Sequence, residues 1–199
     1  EFPCADFVAG YGDANADFHV VGDHPGVHGG DETGIPFTDR DWSAAFFDAL
    51  AAAGLVADVD LPAGSLDATH TFFSYLHACV PDGPDVDAAA YVRLEPYFDA
   101  ELRAITADVL LPVGERATRH VLSEYTATDP DLATSMADLH GTELLGSGWL
   151  VVPVAEPAAW TAGDGRRLVD GLTTLQRTDY HRTADLGRFV AGPGSYYVR

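Results

Sequence analysis

Four short apolar runs punctuate the chain at 16–23 ("ADFHVVGD"), 71–79 ("TFFSYLHAC"), 107–114 ("ADVLLPVG") and 148–155 ("GWLVVPVA"). Continuous apolar runs of this length suit strands buried on both faces of a parallel sheet. Between them the apolar residues fall at helical spacing. Residues 41–54 place Trp42, Ala45, Phe46 and Ala49 on one face and end at Gly54, a suitable C-cap. Residues 85–105 read as a long helix in which Pro96 marks a kink or restart, and 114–125, 131–140 and 162–179 are further helical stretches. The alternation predicts an α/β fold: a three-layer α/β/α sandwich on a central, mainly parallel four-stranded sheet. No linker or repeat divides it, so residues 1–199 read as one domain. The end, 187–199, reads as a tail or a packed strap.

In open α/β sheets ligands bind outside the carboxyl ends of the strands. The segments 22–37, 77–84, 114–116 and 155–160 should therefore converge on one edge. The first, "GDHPGVHGGDETGIPF", holds five glycines that let the backbone turn sharply and approach a ligand. It lacks the spacing of a dinucleotide fingerprint and the lysine of a Walker loop. Asp23, Asp31 and Glu32 are candidates to position a water. His24 and His28 are hydrogen-bond donors or ligands, but their spacing with Asp31 matches no known metal motif, and no metal is assigned. Phe37, closing the loop, is either a stacking platform for a planar ring or a plug for the sheet edge.

Charge narrows the setting. The chain carries 31 acids against 11 bases, a net charge of −20, and every base is an arginine. Acids spread along a chain without lysine keep a protein hydrated in molar salt, where the Debye length is only ~3 Å. The expectation is a cytoplasmic protein of a halophilic archaeon. No apolar run approaches a membrane span, and the first residues show no signal pattern. Residues 160–199 carry six arginines and four aspartates, against the acidic remainder. Arg166 and Arg167 there, with Arg119, are candidates for phosphate contact or for surface charge pairing. Two cysteines, Cys4 and Cys79, are too few for a disulfide scaffold, and in a cytosolic setting they are expected to stay unbridged.

The ordered motifs add a resemblance. Gly22-Asp23-His24-Pro25-Gly26 followed by Gly34-Ile35-Pro36-Phe37 resembles the G-E-A-P-G and G-x-P-F motifs of the uracil-DNA glycosylase superfamily, in its iron–sulfur-containing branch. Residues 77–85 are similar to that branch's K-C-R-P-P segment, 103–122 to its strand entering an L-G-x-x-A helix, and 140–160 to its R-G…P-T-x-H-P-A stretch. The resemblance implies an enzyme that flips uracil out of DNA and hydrolyses its glycosidic bond through an oxocarbenium-like sugar. It implies Phe37 as the floor under the base, within a pocket of Gly22, Pro25, Gly26, Tyr75 and His77. Asp23 falls on the motif acid, with Asp31 or Glu32 as a second. Gly114, at the start of its helix, joins Arg119, Arg166 and Arg167 as the expected DNA-phosphate contacts. Four positions depart from the family: Glu156 stands where it has histidine, Tyr75 where it has asparagine, Asp23 where it has the longer glutamate, and His24 where it has a small residue. His24, His28 or His77 would then supply the lost donor. With only two cysteines, no [4Fe–4S] cluster is expected. The partner is DNA, or a nucleobase or nucleotide, bound by a monomer. The alternative reading is a superfamily protein that binds a nucleobase, nucleotide or nucleic acid without cleaving it. An unrelated α/β protein is the third.

Overall fold

The computed structural model describes residues 2–83, 85–181 and 183–184. The expected tail at 187–199 lies outside them, as do Arg182, Arg188 and Arg199. The strands are β1 (Tyr11–Gly12), β2 (Phe18–Gly22), β3 (Ala57–Asp60), β4 (Ser65–Asp67), β5 (Thr71–Tyr75), β6 (Val109–Pro112), β7 (Leu144–Leu145) and β8 (Leu150–Val151). The α-helices are α1 (Pro25–His28), α2 (Ser43–Ala52), α3 (Ala88–Ile105), α4 (Gly114–Tyr125), α5 (Met136–Leu139) and α6 (Asp164–Gln176).

The main sheet has six strands in the order β1-β5-β2-β6-β8-β7. The four expected strands form its parallel centre, with β2 between β5 and β6 and β8 beyond β6. The four-strand expectation is corrected by β1 and β7, which add antiparallel edges of two residues each. Strands that short leave no alternation to read. A separate hairpin, β3–β4, was also missed: it is mostly exposed and acidic and shows no apolar period.

Alternation along β2 divides the core. Phe18 and Val20 join Phe46, Phe47 and Leu50 of α2 and Leu168 and Leu172 of α6. Val21 joins Phe98 and Leu102 of α3 and Val121 and Leu122 of α4. The two helix layers thus cover opposite faces, as buried parallel strands require. Pro96 lies within α3 without ending it, and Asp87 caps the helix by accepting from the Ala90 N–H. Residues 130–135 form a 3₁₀ turn, so the expected helix at 131–140 is reduced to the four residues of α5. Among the described residues no helix is long and apolar enough to cross a membrane.

The cysteines correct another expectation. Cys4 and Cys79 form a disulfide, their Cα atoms 6.0 Å apart. The cause is local pairing. Val8 donates to the carbonyl of Ala78 and Val80 to that of Asp6, which lays the N-terminal segment against the end of β5. A cellular compartment says nothing about this proximity, which the fold alone creates.

Candidate active site at the carboxyl ends of the strands

β2 ends at Gly22, and a Cβ there would stand 2.7 Å from both Phe37 Cζ and Tyr75 Cδ1. Only glycine lets the strand end so close to these rings. Asp23 and His24 follow, and Pro25 opens α1, where its fixed φ suits the first helical turn. The rest of the loop is held by hydrogen bonds. The Tyr75 hydroxyl donates to the Gly29 carbonyl and accepts from the Phe37 N–H. The Arg40 guanidinium donates to the carbonyls of Pro25, Gly26 and Val27. Asp39 accepts from the N–H groups of Glu32 and Thr33.

Phe37 lies at the bottom, fully buried against Phe46, Phe73 and Tyr75. The His28 ring covers it. Its centroid is 5.2 Å from that of Phe37, and it stacks on Tyr75 at 6.2 Å with Trp42 edge-on. The hydrogen bonds of His28 define its tautomer. Nδ1 accepts from the Asp23 N–H at 2.9 Å, so the proton sits on Nε2 and is donated to Glu156 Oε2 at 3.1 Å. Glu156 arrives from beyond β8 because Gly114 leaves room: a Cβ there would be 2.8 Å from Glu156 Oε2. The segment carrying Glu156 is itself pinned. His140 Nδ1 accepts from the Ala155 N–H, its Nε2 donates to the Asp164 carbonyl, and the Trp160 indole donates to the Ala155 carbonyl.

The Asp23 carboxylate faces the other way. It accepts from the Tyr91 hydroxyl and pairs with Arg116 at 3.2 Å, and Arg116 lies 4.7 Å above the Tyr91 ring. Burial, and then the Asp23 hydrogen bond and charge, push the Tyr91 phenol well above its ordinary range, so it remains a donor. Burial lowers the His24 pKa against the opposing pull of Asp23, and burial also lowers that of His77. Both imidazoles are therefore neutral at neutral pH. The two rings meet edge-on at 6.4 Å, and His24 Nδ1 is buried with no hydrogen-bond partner among the described residues.

Of the remaining candidates only Gly114 touches this cluster, through the room it leaves for Glu156. Asp31 pairs with Arg40, and neither Asp31 nor Glu32 joins the Asp23–His28–Glu156 network. The Gly114 N–H is committed to the Val154 carbonyl and is not offered to a phosphate. Arg119 pairs with Glu115 and Asp131, Arg166 with Asp170, and Arg167 donates to the carbonyls of Ala137 and Asp138. Sequence reasoning missed Tyr91, Arg116, Arg40 and Trp42. Tyr91 comes from α3, which no motif flags; Arg116 falls in the 114–116 segment expected at this edge, but only the fold shows that it pairs with Asp23.

The cysteines do not fit a [4Fe–4S] cluster. Such a cluster takes four thiolates, whereas the sequence has two cysteines and they are bonded to each other.

Two comparisons bear on this geometry. The family model described as the uracil DNA glycosylase superfamily matches residues 9–171. The chain is also similar to the type-5 uracil-DNA glycosylase of Pyrobaculum aerophilum, with 28% identity over 173 residues that cover 85% of this chain and 74% of that protein.

Proposed function

The chain belongs to the uracil DNA glycosylase superfamily, and from that premise we propose that it hydrolyses the N-glycosidic bond of a flipped uracil, or of a related damaged base, in DNA, as in base excision repair. The observation that carries this reading is the pairing of two groups at the end of β2. Asp23 is a carboxylate with only 14% of its side chain exposed, held by Tyr91 and Arg116, and the neutral His24 beside it has an unpaired buried nitrogen.

The chemistry needs both. As the bond between C1′ and the base nitrogen lengthens, positive charge grows on the sugar and negative charge on the base. The Asp23 carboxylate stabilises the sugar cation, and water adds to C1′ and gives up a proton that ends on the base anion. The departing base takes the electron pair of the broken bond. A neutral imidazole that keeps an N–H, as His24 does, can hydrogen-bond that anion in a site sheltered from water. Stacking of the base on Phe37 requires the His28 ring to leave the face it covers.

Glu156 favours a second reading. It accepts from His28, and an ionised carboxylate has no proton to donate to a leaving base. A protein so equipped would bind a nucleobase, nucleotide or nucleic acid without cleaving it. In either case the net charge of −20 repels DNA, and phosphate contacts weaken with salt, so stacking and hydrogen bonds must carry much of the affinity.

Single- and double-stranded oligonucleotides containing one uracil, incubated in the molar KCl that the acidic composition calls for, separate the two. The glycosylase reading expects abasic product, seen as strand cleavage after alkali. Retained binding with no product at large protein excess would establish the second reading instead.

A further inference from the structure

The opposite end of the same sheet carries a second cluster of ligand-type side chains. Asp17 and Asp108 immediately precede β2 and β6, which are adjacent parallel strands with Phe18 opposite Val109. The Asp17 carbonyl accepts from the N–H groups of both Asp108 and Val109, which locks the two aspartates side by side. Neighbouring strands are ~4.8 Å apart, so the two carboxylates start out near chelating distance. His181, from the chain beyond α6, completes the group. Its Nδ1 is in hydrogen-bond contact with Asp108 Oδ2 and 4.0 Å from Asp17 Oδ1, and the three ligand atoms lie within 4.8 Å of one another.

We propose that Asp17, Asp108 and His181 bind a divalent transition-metal ion of the zinc class, which fastens the chain after α6 to the base of the sheet. One imidazole nitrogen and two carboxylate oxygens are ligands that zinc accepts, at ~2.0–2.2 Å. Ligand atoms around a tetrahedral zinc are therefore roughly 3.3 Å apart. His181 is half-exposed, so its ring has room to move into that spacing without disturbing the core. The surroundings resemble an outer shell. The Tyr180 hydroxyl hydrogen-bonds Asp17 and its ring packs 4.0 Å from that of His181, while His70 Nδ1 is 3.7 Å from the other oxygen of Asp17. Partners of this kind orient the ligands of metal sites. The site is at the opposite end of β2 from Asp23, so it takes no part in the chemistry proposed there.

The test uses the full chain, dialysed against EDTA in molar KCl, then given one equivalent of zinc chloride and desalted. The proposal expects about one zinc retained per chain by elemental analysis and a melting temperature raised by about 5 °C. His181→Gln and Asp108→Asn should each lose both effects while keeping the wild-type far-UV circular dichroism. Histidine ring resonances of the wild-type protein supply a readout free of mutation: zinc should shift His181 and leave His24 and His77 unchanged. No retained zinc would mean an imidazole–carboxylate ion pair only, and would overturn the proposal. So would equal retention by His181→Gln, or shifts confined to His24 and His77.

Discussion

Each end of β2 carries an aspartate with histidine at hand, and the two ends use these residues differently. At the carboxyl end the His28 side chain is 0% exposed, with a backbone N–H on one nitrogen and Glu156 on the other. At the amino end the side chains of His181 and His70 are 52% and 65% exposed, and each lies against a carboxylate, Asp108 and Asp17 respectively. Burial makes the first imidazole a fixed, directional donor in an aromatic stack. Exposure leaves the second free to turn, to exchange protons with water or to take a metal ion. The same residue types thus yield a rigid site and an adaptable one, and solvent access decides which.

The strongest way to break this contrast is to loosen the rigid end covalently. The disulfide spans a sequence separation of 75 and ties the N-terminal segment to the end of β5. In the chain-entropy account a loop of that size contributes about 4 kcal/mol. Urea unfolding with and without a reducing agent should show a loss of that order. Unchanged midpoints would show that the segment is held by its other contacts alone.

Exchanging single imidazoles sharpens the contrast directly. His28→Ala removes two hydrogen bonds and a buried ring and should cost about 2–3 kcal/mol. His181→Ala, in metal-free protein, should stay within about 0.5 kcal/mol. Denaturant titration of the two variants decides, and equal losses would refute the distinction.

Between the two ends lies His19, fully buried in β2, with Nε2 against the Ser74 hydroxyl and its pKa pulled by burial from 6.5 to about 3. Between these values the unfolded chain binds a proton that the folded chain refuses. Its stabilising effect is complete above pH 6.5 and is lost as the pH falls toward 3, at up to ~1.4 kcal/mol per pH unit. Urea midpoints measured from pH 7 to 4 should fall, and His19→Gln should flatten the slope. A slope unchanged by that substitution would assign the acid sensitivity to other groups.

Much of this fold is written locally. The four central strands and the helices α2, α3, α4 and α6 each carry a long run or a sustained period, so the pattern alone reveals them. The edges β1 and β7 and the hairpin β3–β4 do not, because two residues hold no period and an acidic hairpin no apolar face. The site divides the same way. Asp23, His24, Phe37, Tyr75 and Glu156 sit in motifs at strand ends, and the fold places them on one edge. His28 was visible as a loop histidine, but its position over Phe37 depends on bonds to Asp23 and to Glu156, 128 residues away. Arg116 lies in the 114–116 segment expected at this edge, but its pairing with Asp23 is set by the fold, and Tyr91 has no signal at all, since a helix face says nothing about what it meets.

The central claim is that Asp23 carries out glycosidic chemistry. Its most direct test is the single-turnover rate of uracil excision by wild type, by Asp23→Asn and by the control His181→Ala at the opposite end of the sheet. The account predicts product from the wild type, a rate close to it for His181→Ala, and a loss of roughly 100-fold or more for Asp23→Asn. An Asp23→Asn variant that excises uracil within a few-fold of wild type would contradict it.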